Sequence, residues 1–191
     1  VQLRPQAFDM LELIRRIGRV SEPLFRSSTV RFRTQCDFGD ELWVSADAQR
    51  LEQILINMIG NACKFTEKGE VLFTVDTAVL DRHVRSTFCV TDTGIGMSED
   101  TICNIGEPFY EGREGYNRAI GGTGLGLSIV IHLLDSMNSH IDIRNEIGKG
   151  SEFSFVVELP LAEARDGNEL MIRPSESQTG SLRGKFRVLY I

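Results

Sequence analysis

The segment from Asp47 to Phe65 carries polar side chains on one face of a predicted helix. At about 100° per residue, a stripe about 80° wide collects these polar residues while the apolar ones face elsewhere. The stripe consists of Arg50, Gln53, Asn57, Asn61 and Lys64. Asparagine amide oxygens can ligate a hard cation, and a lysine ammonium can bind phosphate. A solvated helix face gives the same pattern, so this segment alone leaves both interpretations open.

A second group of candidate residues begins at a carboxylate placed where a predicted strand ends. Its members, in order, are Asp92, Thr93, Gly94, Ile95, Gly96 and Met97. A carboxylate here can accept a hydrogen bond from the amino group of a nucleotide base, and glycines let the backbone approach a ligand closely. A surface turn is the alternative, because aspartate and glycine are both common turn residues.

A third group is the glycine-rich run from Gly121 to Leu127, which leads directly into an apolar helix. Backbone N–H groups and the positive end of the helix dipole make such a start an anion site. A flexible linker is the alternative, but linkers seldom lead straight into an apolar helix. Two other nucleotide motifs are absent, since Leu127 replaces the last glycine of a dinucleotide fingerprint and no G-x-x-x-x-G-K-[ST] occurs.

The elements that must position these groups follow from hydrophobic periodicity and turn residues. We predict helices over 9–27, 47–65, 98–105 and 124–137, and strands over 30–36, 42–44, 70–79, 84–91, 141–145 and 152–159. This order favours an α+β fold, a two-layer α/β sandwich in which three main helices cover one face of a mixed, mostly antiparallel sheet. Residues 162–182 have the composition of a linker, and 183–191 are strand-like again.

Composition sets limits on function. The chain has 191 residues, 41% of them hydrophobic, and a formal net charge of −6. One globular domain with a packed core fits these values, and the acidic balance disfavours nucleic acid as a partner. The longest uncharged stretch is shorter than the roughly 20 apolar residues that cross a bilayer, so we expect no membrane-spanning helix.

In this order the motifs resemble the catalytic, ATP-binding domain of sensor histidine kinases, within the gyrase, Hsp90, histidine kinase and MutL superfamily. The resemblance covers about residues 3–161 and implies a Bergerat-type ATP-binding fold. Five ordered stretches carry it: Ile54–Thr66, Asp92–Met97, Glu107–Tyr110, Gly122–Leu127 and Gly148–Phe153.

The resemblance implies a role for each matching position. Asn61, helped by Asn57, would bind a Mg²⁺ ion that bridges the ATP phosphates, and Lys64 would contact the phosphates, so Asn61 and Lys64 are the expected catalytic residues. Asp92 would bind the adenine amino group, with Ser151 supporting it through water. The base pocket would be shaped by Gly94, Ile95, Gly96 and Met97.

The phosphates would be wrapped by the glycine-rich loop, through Gly122, Thr123, Gly124, Leu125 and Gly126. The resemblance further implies a mobile lid from about Glu107 to Gly121. Phe109 and Tyr110 would pack this lid down. Arg113 and Arg118 are candidates for phosphate contact, although solvated lid charges explain them equally well.

The implied activity is transfer of the γ-phosphoryl group of ATP to a histidine in two-component signal transduction. That histidine would lie on a separate phosphoacceptor hairpin domain, dimeric in the intact kinase, because His83, His132 and His140 lack an H-E-L-R-T-P-like setting. Residues 183–191 resemble the first strand of a receiver domain, which implies a hybrid kinase with a receiver domain or response regulator as partner. The expected location is cytoplasmic, with any membrane anchor outside this chain.

Two alternatives stay open. An ATPase clamp of the gyrase or Hsp90 kind would hydrolyse ATP with a glutamate one turn before the metal-binding asparagine, where this chain has Asn57, which cannot accept a proton. A catalytically silent nucleotide-sensing module is disfavoured by the presence of Asn61, Asp92 and the glycine motifs.

Overall fold

The computed structural model describes residues 2–26, 29–110 and 124–163, and the backbone of 187–189. The strands are β1 (Gln6–Asp9), β2 (Thr29–Cys36), β3 (Trp43–Ala46), β4 (Lys68–Leu80), β5 (His83–Asp92), β6 (Ile141–Glu146), β7 (Gly150–Pro160) and β8 (Arg187–Leu189). The α-helices of these residues are α1 (Met10–Ser21), α2 (Ala48–Phe65), α3 (Glu99–Asn104) and α4 (Gly126–Ser136).

The main sheet has the order β6-β7-β5-β4-β2-β8, and every neighbouring pair except β2 and β4 is antiparallel. Side chains on alternate strand positions are buried beneath the helices, as the period of two requires. Phe88 and Phe155 stack between β5 and β7 with ring centroids 5.1 Å apart. The predicted two-layer α+β fold is confirmed, with α1, α2 and α4 as the three main helices.

The first helix is shorter than predicted. It ends at Ser21, and the chain continues as a 3-10 turn over Glu22–Phe25. Pro23 explains the end, because proline has no N–H to donate and its ring clashes with the preceding helical turn.

A strand that the sequence did not indicate lies before α1. Strand β1 pairs with β3 in a separate two-stranded ribbon, with Phe8 opposite Val44. The partners are far apart in sequence, so no local pattern marks this pairing. The ribbon also contacts the end of the domain, since Ala162 donates its N–H to the Trp43 carbonyl at 2.9 Å.

The ends of the predicted domain arrangement are described only in part. The predicted linker, 162–182, lies outside the described residues after Glu163. Of the predicted receiver segment, 183–191, only 187–189 are described, and they pair antiparallel with Thr34–Cys36 at the edge of the sheet. Among the helices of the described ranges, none is long and apolar enough to cross a membrane.

Asp47 fixes the start of α2, the helix that carries the polar stripe. Its Oδ1 accepts a hydrogen bond from the N–H of Arg50 at 3.1 Å, and its Oδ2 accepts one from the N–H of Arg4 at 3.0 Å. One buried carboxylate therefore caps the helix and holds the incoming chain against it.

We predict that Asp47→Ala lowers the free energy of unfolding by about 1–3 kcal/mol, because the N–H of Arg4 loses its acceptor and the N–H of Arg50 keeps only the carbonyl of residue 47. Urea denaturation measures the change. Asp47→Asn keeps an acceptor oxygen and serves as the matched control, with a smaller expected loss. Equal stability of Asp47→Ala and the unmodified chain would show that the cap is dispensable.

Candidate functional site

The polar stripe on α2 lies against the start of α4. A Cβ atom added to Gly126 would lie 3.7 Å from the Asn57 Oδ1 atom and 3.7 Å from both carboxamide atoms of Asn61. The two asparagines therefore converge on one point at the N-terminus of α4, where the helix dipole is positive. The structure thus brings together the first and third groups of candidate residues.

The remaining members of the stripe lie on either side of these asparagines. Arg50 donates from Nη1 to the Gln53 Oε1 atom at 3.0 Å, so the first two side chains of the stripe bind each other. At the other end, the Lys64 ammonium lies 5.0 Å from the centroid of the Phe65 ring. An ammonium group over an aromatic face is attracted by the ring.

Asp92 ends β5 between two neighbouring strands, opposite Val71 of β4 and Ser151 of β7. The residue is only 6% exposed, and its Oδ1 accepts a hydrogen bond from the N–H of Gly94 at 2.8 Å. Burial raises the pKa of Asp92 above its ordinary value, although hydrogen bonds from the backbone N–H groups of Gly94 and Ser151 oppose the rise.

Close backbone contacts explain the glycines around Asp92. A Cβ on Gly94 would lie 2.2 Å from the carbonyl oxygen of Phe65, and one on Gly150 would lie 1.9 Å from that of Asp92. Gly150 also has a φ of 116°, which only glycine adopts readily. The N–H of Ile95 donates to the Phe65 carbonyl at 3.2 Å, so the loop after Asp92 is attached to the end of α2.

Asn145 belongs to this site, although no motif in the sequence marks it. Its Oδ1 accepts from the N–H of Met97 at 2.7 Å, and its Nδ2 donates to the carbonyl of Met97 at 2.7 Å. The hydroxyl of Ser151 also donates to Asn145 Oδ1, at 3.2 Å. One pattern in the sequence does point to Asn145. Ile141 and Ile143 precede it at a spacing of two, which places this polar residue on the inward face of β6.

The predicted packing role of Phe109 is wrong. Its ring is 73% exposed, and its backbone has a left-handed φ of 64°. The N–H of Phe109 donates to the Gly124 carbonyl at 3.0 Å, so this turn holds the backbone and leaves the ring outside. Tyr110 is half-buried, and its hydroxyl contacts Asp100 at 3.4 Å.

Four predicted ligand residues lie outside the described residues: Arg113, Arg118, Gly122 and Thr123. The predicted lid is described only as far as Tyr110. The other predicted residues fall into two groups, one at the junction of α2 with Gly124, Leu125 and Gly126 and one around Asp92.

An open groove of about 590 Å³ lies beside the polar stripe, between α2 and α4. Arg50 and Gln53 line one wall, and Leu125, Ile129 and His132 line the other. Asn61 and Asp92 do not line it, so the groove is separate from the residues predicted to bind metal and base.

Comparison with known proteins gives a consistent assignment. Residues 46–163 match the family described as histidine kinase-, DNA gyrase B- and HSP90-like ATPase. The chain is 28% identical over 177 residues to the autoinducer 2 sensor kinase/phosphatase LuxQ of Vibrio cholerae, covering 93% of this chain and 21% of that protein. It is 34% identical over 164 residues to the sensor histidine kinase AruS of Pseudomonas aeruginosa, covering 81% of this chain and 16% of that protein.

Solved structures show the same relationship. Full-length ShkA in complex with AMPPNP matches with a TM-score of 0.69 and 32% identity, covering 86% of this chain and 33% of that one. The nucleotide-free catalytic domain of the histidine kinase ThkA matches with a TM-score of 0.63 and 29% identity, covering 81% of this chain and 97% of that one. The two curated relatives are about five to six times longer than the region they share with this chain. The chain therefore belongs to the histidine kinase-, DNA gyrase B- and HSP90-like ATPase family, and its relatives within that family are sensor histidine kinases.

Proposed function

We propose that this chain binds Mg²⁺-ATP and donates the γ-phosphoryl group to a histidine on a separate phosphoacceptor hairpin domain. The observation that carries the proposal is the buried carboxylate of Asp92, attached through its loop to the helix whose asparagines meet the start of α4. The similarity to proteins named as sensor kinases supports the same reaction.

The base end of the proposed site is Asp92. Buried carboxylates normally have a charged partner, but within the described residues Asp92 forms no ion pair and is bound by backbone N–H groups. The amino group of adenine would add a further donor to this carboxylate. Ile95, Gly96 and Met97 would border the base, and Ser151 would support Asp92 from the adjacent strand.

The phosphate end is the junction of α2 and α4. Amide oxygens are hard ligands that suit Mg²⁺, so Asn57 and Asn61 would hold the ion where they converge beneath Gly126. The ion would neutralise charge on the phosphates, and the N-terminus of α4 and Lys64 would bind phosphate oxygens. Gly122, Thr123, Arg113 and Arg118 stay predicted phosphate contacts.

Transfer is proposed rather than hydrolysis because Asn57 occupies the place of a hydrolytic base. An amide cannot accept the proton of an attacking water, so the nucleophile must come from elsewhere. A histidine brought by the hairpin domain supplies it, and the domain contributes position and charge neutralisation. We further propose that the chain works on the cytoplasmic side, where ATP is available, and that a receiver domain or response regulator accepts the phosphoryl group next.

We predict that Asp92→Asn weakens Mg²⁺-ADP binding about ten- to a hundredfold, because a hydrogen bond to a charged acceptor contributes about 1.5–3 kcal/mol. Isothermal titration calorimetry measures the affinity. Asp76→Asn removes an exposed carboxylate on the opposite face of the sheet and should leave binding unchanged. Equal affinity of Asp92→Asn and the unmodified chain would contradict the adenine assignment.

The same substitution should stabilise the ligand-free protein at neutral pH. The raised pKa of Asp92 means that the folded state binds the proton more tightly than the unfolded chain, so stability falls as pH rises toward the folded-state pKa. Asp92→Asn removes that loss. The difference in unfolding free energy, measured in urea, should be largest near pH 7 and vanish well below the unfolded-state pKa of about 3.9, where the carboxyl is neutral in both states. A variant less stable than the unmodified chain at pH 7 would show that the ionised carboxylate stabilises the fold.

Phosphoryl transfer should require a second domain. With γ-labelled ATP, the chain alone should neither label itself nor release phosphate rapidly, and adding a matching histidine-bearing hairpin domain should produce labelled hairpin. Asn61→Asp should slow that transfer roughly a hundredfold, because it changes charge and hydrogen bonding at the metal. Gln53→Glu makes the same chemical change two turns earlier on α2 and is the matched control. Brisk phosphate release by the chain alone would instead favour an ATPase.

A further inference from the structure

Asn145 binds both backbone polar groups of a single residue in the loop after Asp92. Its carboxamide accepts from the N–H of Met97 and donates to the carbonyl of Met97, each at 2.7 Å. A side chain that supplies one acceptor and one donor in this way fixes the orientation of the backbone, as a neighbouring strand does. The two residues are 48 positions apart in the chain, so the contact ties β6 to the loop.

The position of Met97 gives this contact its significance. The loop is held at its start by the bond between Gly94 and Asp92, and at Ile95 by bonds to the Phe65 carbonyl and the Gly148 N–H. Met97 is the last loop residue before Ser98, whose hydroxyl caps α3 by accepting from the N–H of Thr101 at 3.3 Å. Asn145 therefore fixes the end of the loop from which α3 begins.

Asn145 also reaches the residue opposite the carboxylate. The hydroxyl of Ser151 donates to Asn145 Oδ1, and Ser151 pairs with Asp92 across β7 and β5. The half-buried carboxamide of Asn145 thus connects Met97, at the end of the loop, with β7, the strand that pairs with Asp92.

We propose that Asn145 is a positioning residue that sets the distance between Met97 and Asp92 and thereby the preference of the site for adenine. The inference rests on the proposed function, because it assumes that the base lies between the loop and Asp92. Asparagine suits the role because it is both donor and acceptor. Aspartate of the same shape would keep the bond from the Met97 N–H but set a carboxylate oxygen against the Met97 carbonyl.

The test compares two nucleotides that differ at one position of the base. Mg²⁺-ADP carries the amino group that Asp92 would bind, and inosine diphosphate carries an oxygen there. Asn145→Ala should weaken ADP binding about five- to thirtyfold, as expected for loss of the two hydrogen bonds to Met97, and inosine diphosphate binding less than about threefold. The preference for adenine would therefore fall. Asn145→Asp should reduce the preference at least as much, although its volume is unchanged.

Arg144→Ala is the matched control, since Arg144 is the exposed neighbour of Asn145 on the opposite face of β6. It should leave both affinities within about twofold. Thermal unfolding of each variant without nucleotide reports any general destabilisation, and Asn145→Asp keeps the test possible if Asn145→Ala does not fold.

Three results would overturn the inference. Equal losses for the two nucleotides would show that Asn145 supports the fold without setting selectivity. Unchanged ADP binding in both variants would show that the loop keeps its position without this contact. Failure of the unmodified chain to bind ADP would overturn the proposed function and the inference with it. Binding by the unmodified chain therefore separates failure of the proposed function from failure of the inference alone.

Discussion

The site depends on one constraint, the burial of a carboxylate at the end of a central strand. A carboxylate taken out of water must find donors, and Asp92 finds them in the backbone N–H groups of Gly94 and Ser151. Those donors can come close only because Gly94 and Gly150 carry no Cβ atom. A Cβ on Gly94 would clash with the carbonyl of Phe65, and one on Gly150 with the carbonyl of Asp92. The glycines are therefore a consequence of the buried charge as much as of any ligand.

The sheet order brings distant parts of the chain to that carboxylate. Strand β5 lies between β4 and β7, so Asp92 has Val71 on one side and Ser151 on the other. The loop after Asp92 then bonds to the Phe65 carbonyl at the end of α2, next to Lys64. In this way the proposed base end is attached to the last turn of the helix that carries Asn57, Asn61 and Lys64, which suits a nucleotide that spans both ends.

Local signals in the sequence predicted much of this arrangement. The bounds of α2 follow from Asp47 as cap and from its apolar face, and the hairpin of β4 and β5 follows from alternation around a charged turn. What the sequence did not predict depends on contacts between distant residues. Strand β1 is identified only by its pairing with β3. The spacing along β6 marks Asn145 as inward-facing, but its role follows only from its contact with the Met97 backbone. The exposed ring of Phe109 likewise depends on a backbone bond to Gly124 rather than on the hydrophobicity of phenylalanine.

A crystal structure of this chain with Mg²⁺ and a non-hydrolysable ATP analogue would show where the base and the metal ion bind. We predict the adenine amino group within about 3 Å of an Asp92 carboxylate oxygen, and the metal ion on the Oδ1 atom of Asn61 beneath the start of α4. A base seated in the open groove between α2 and α4, or a metal ion bound away from Asn61, would contradict this prediction.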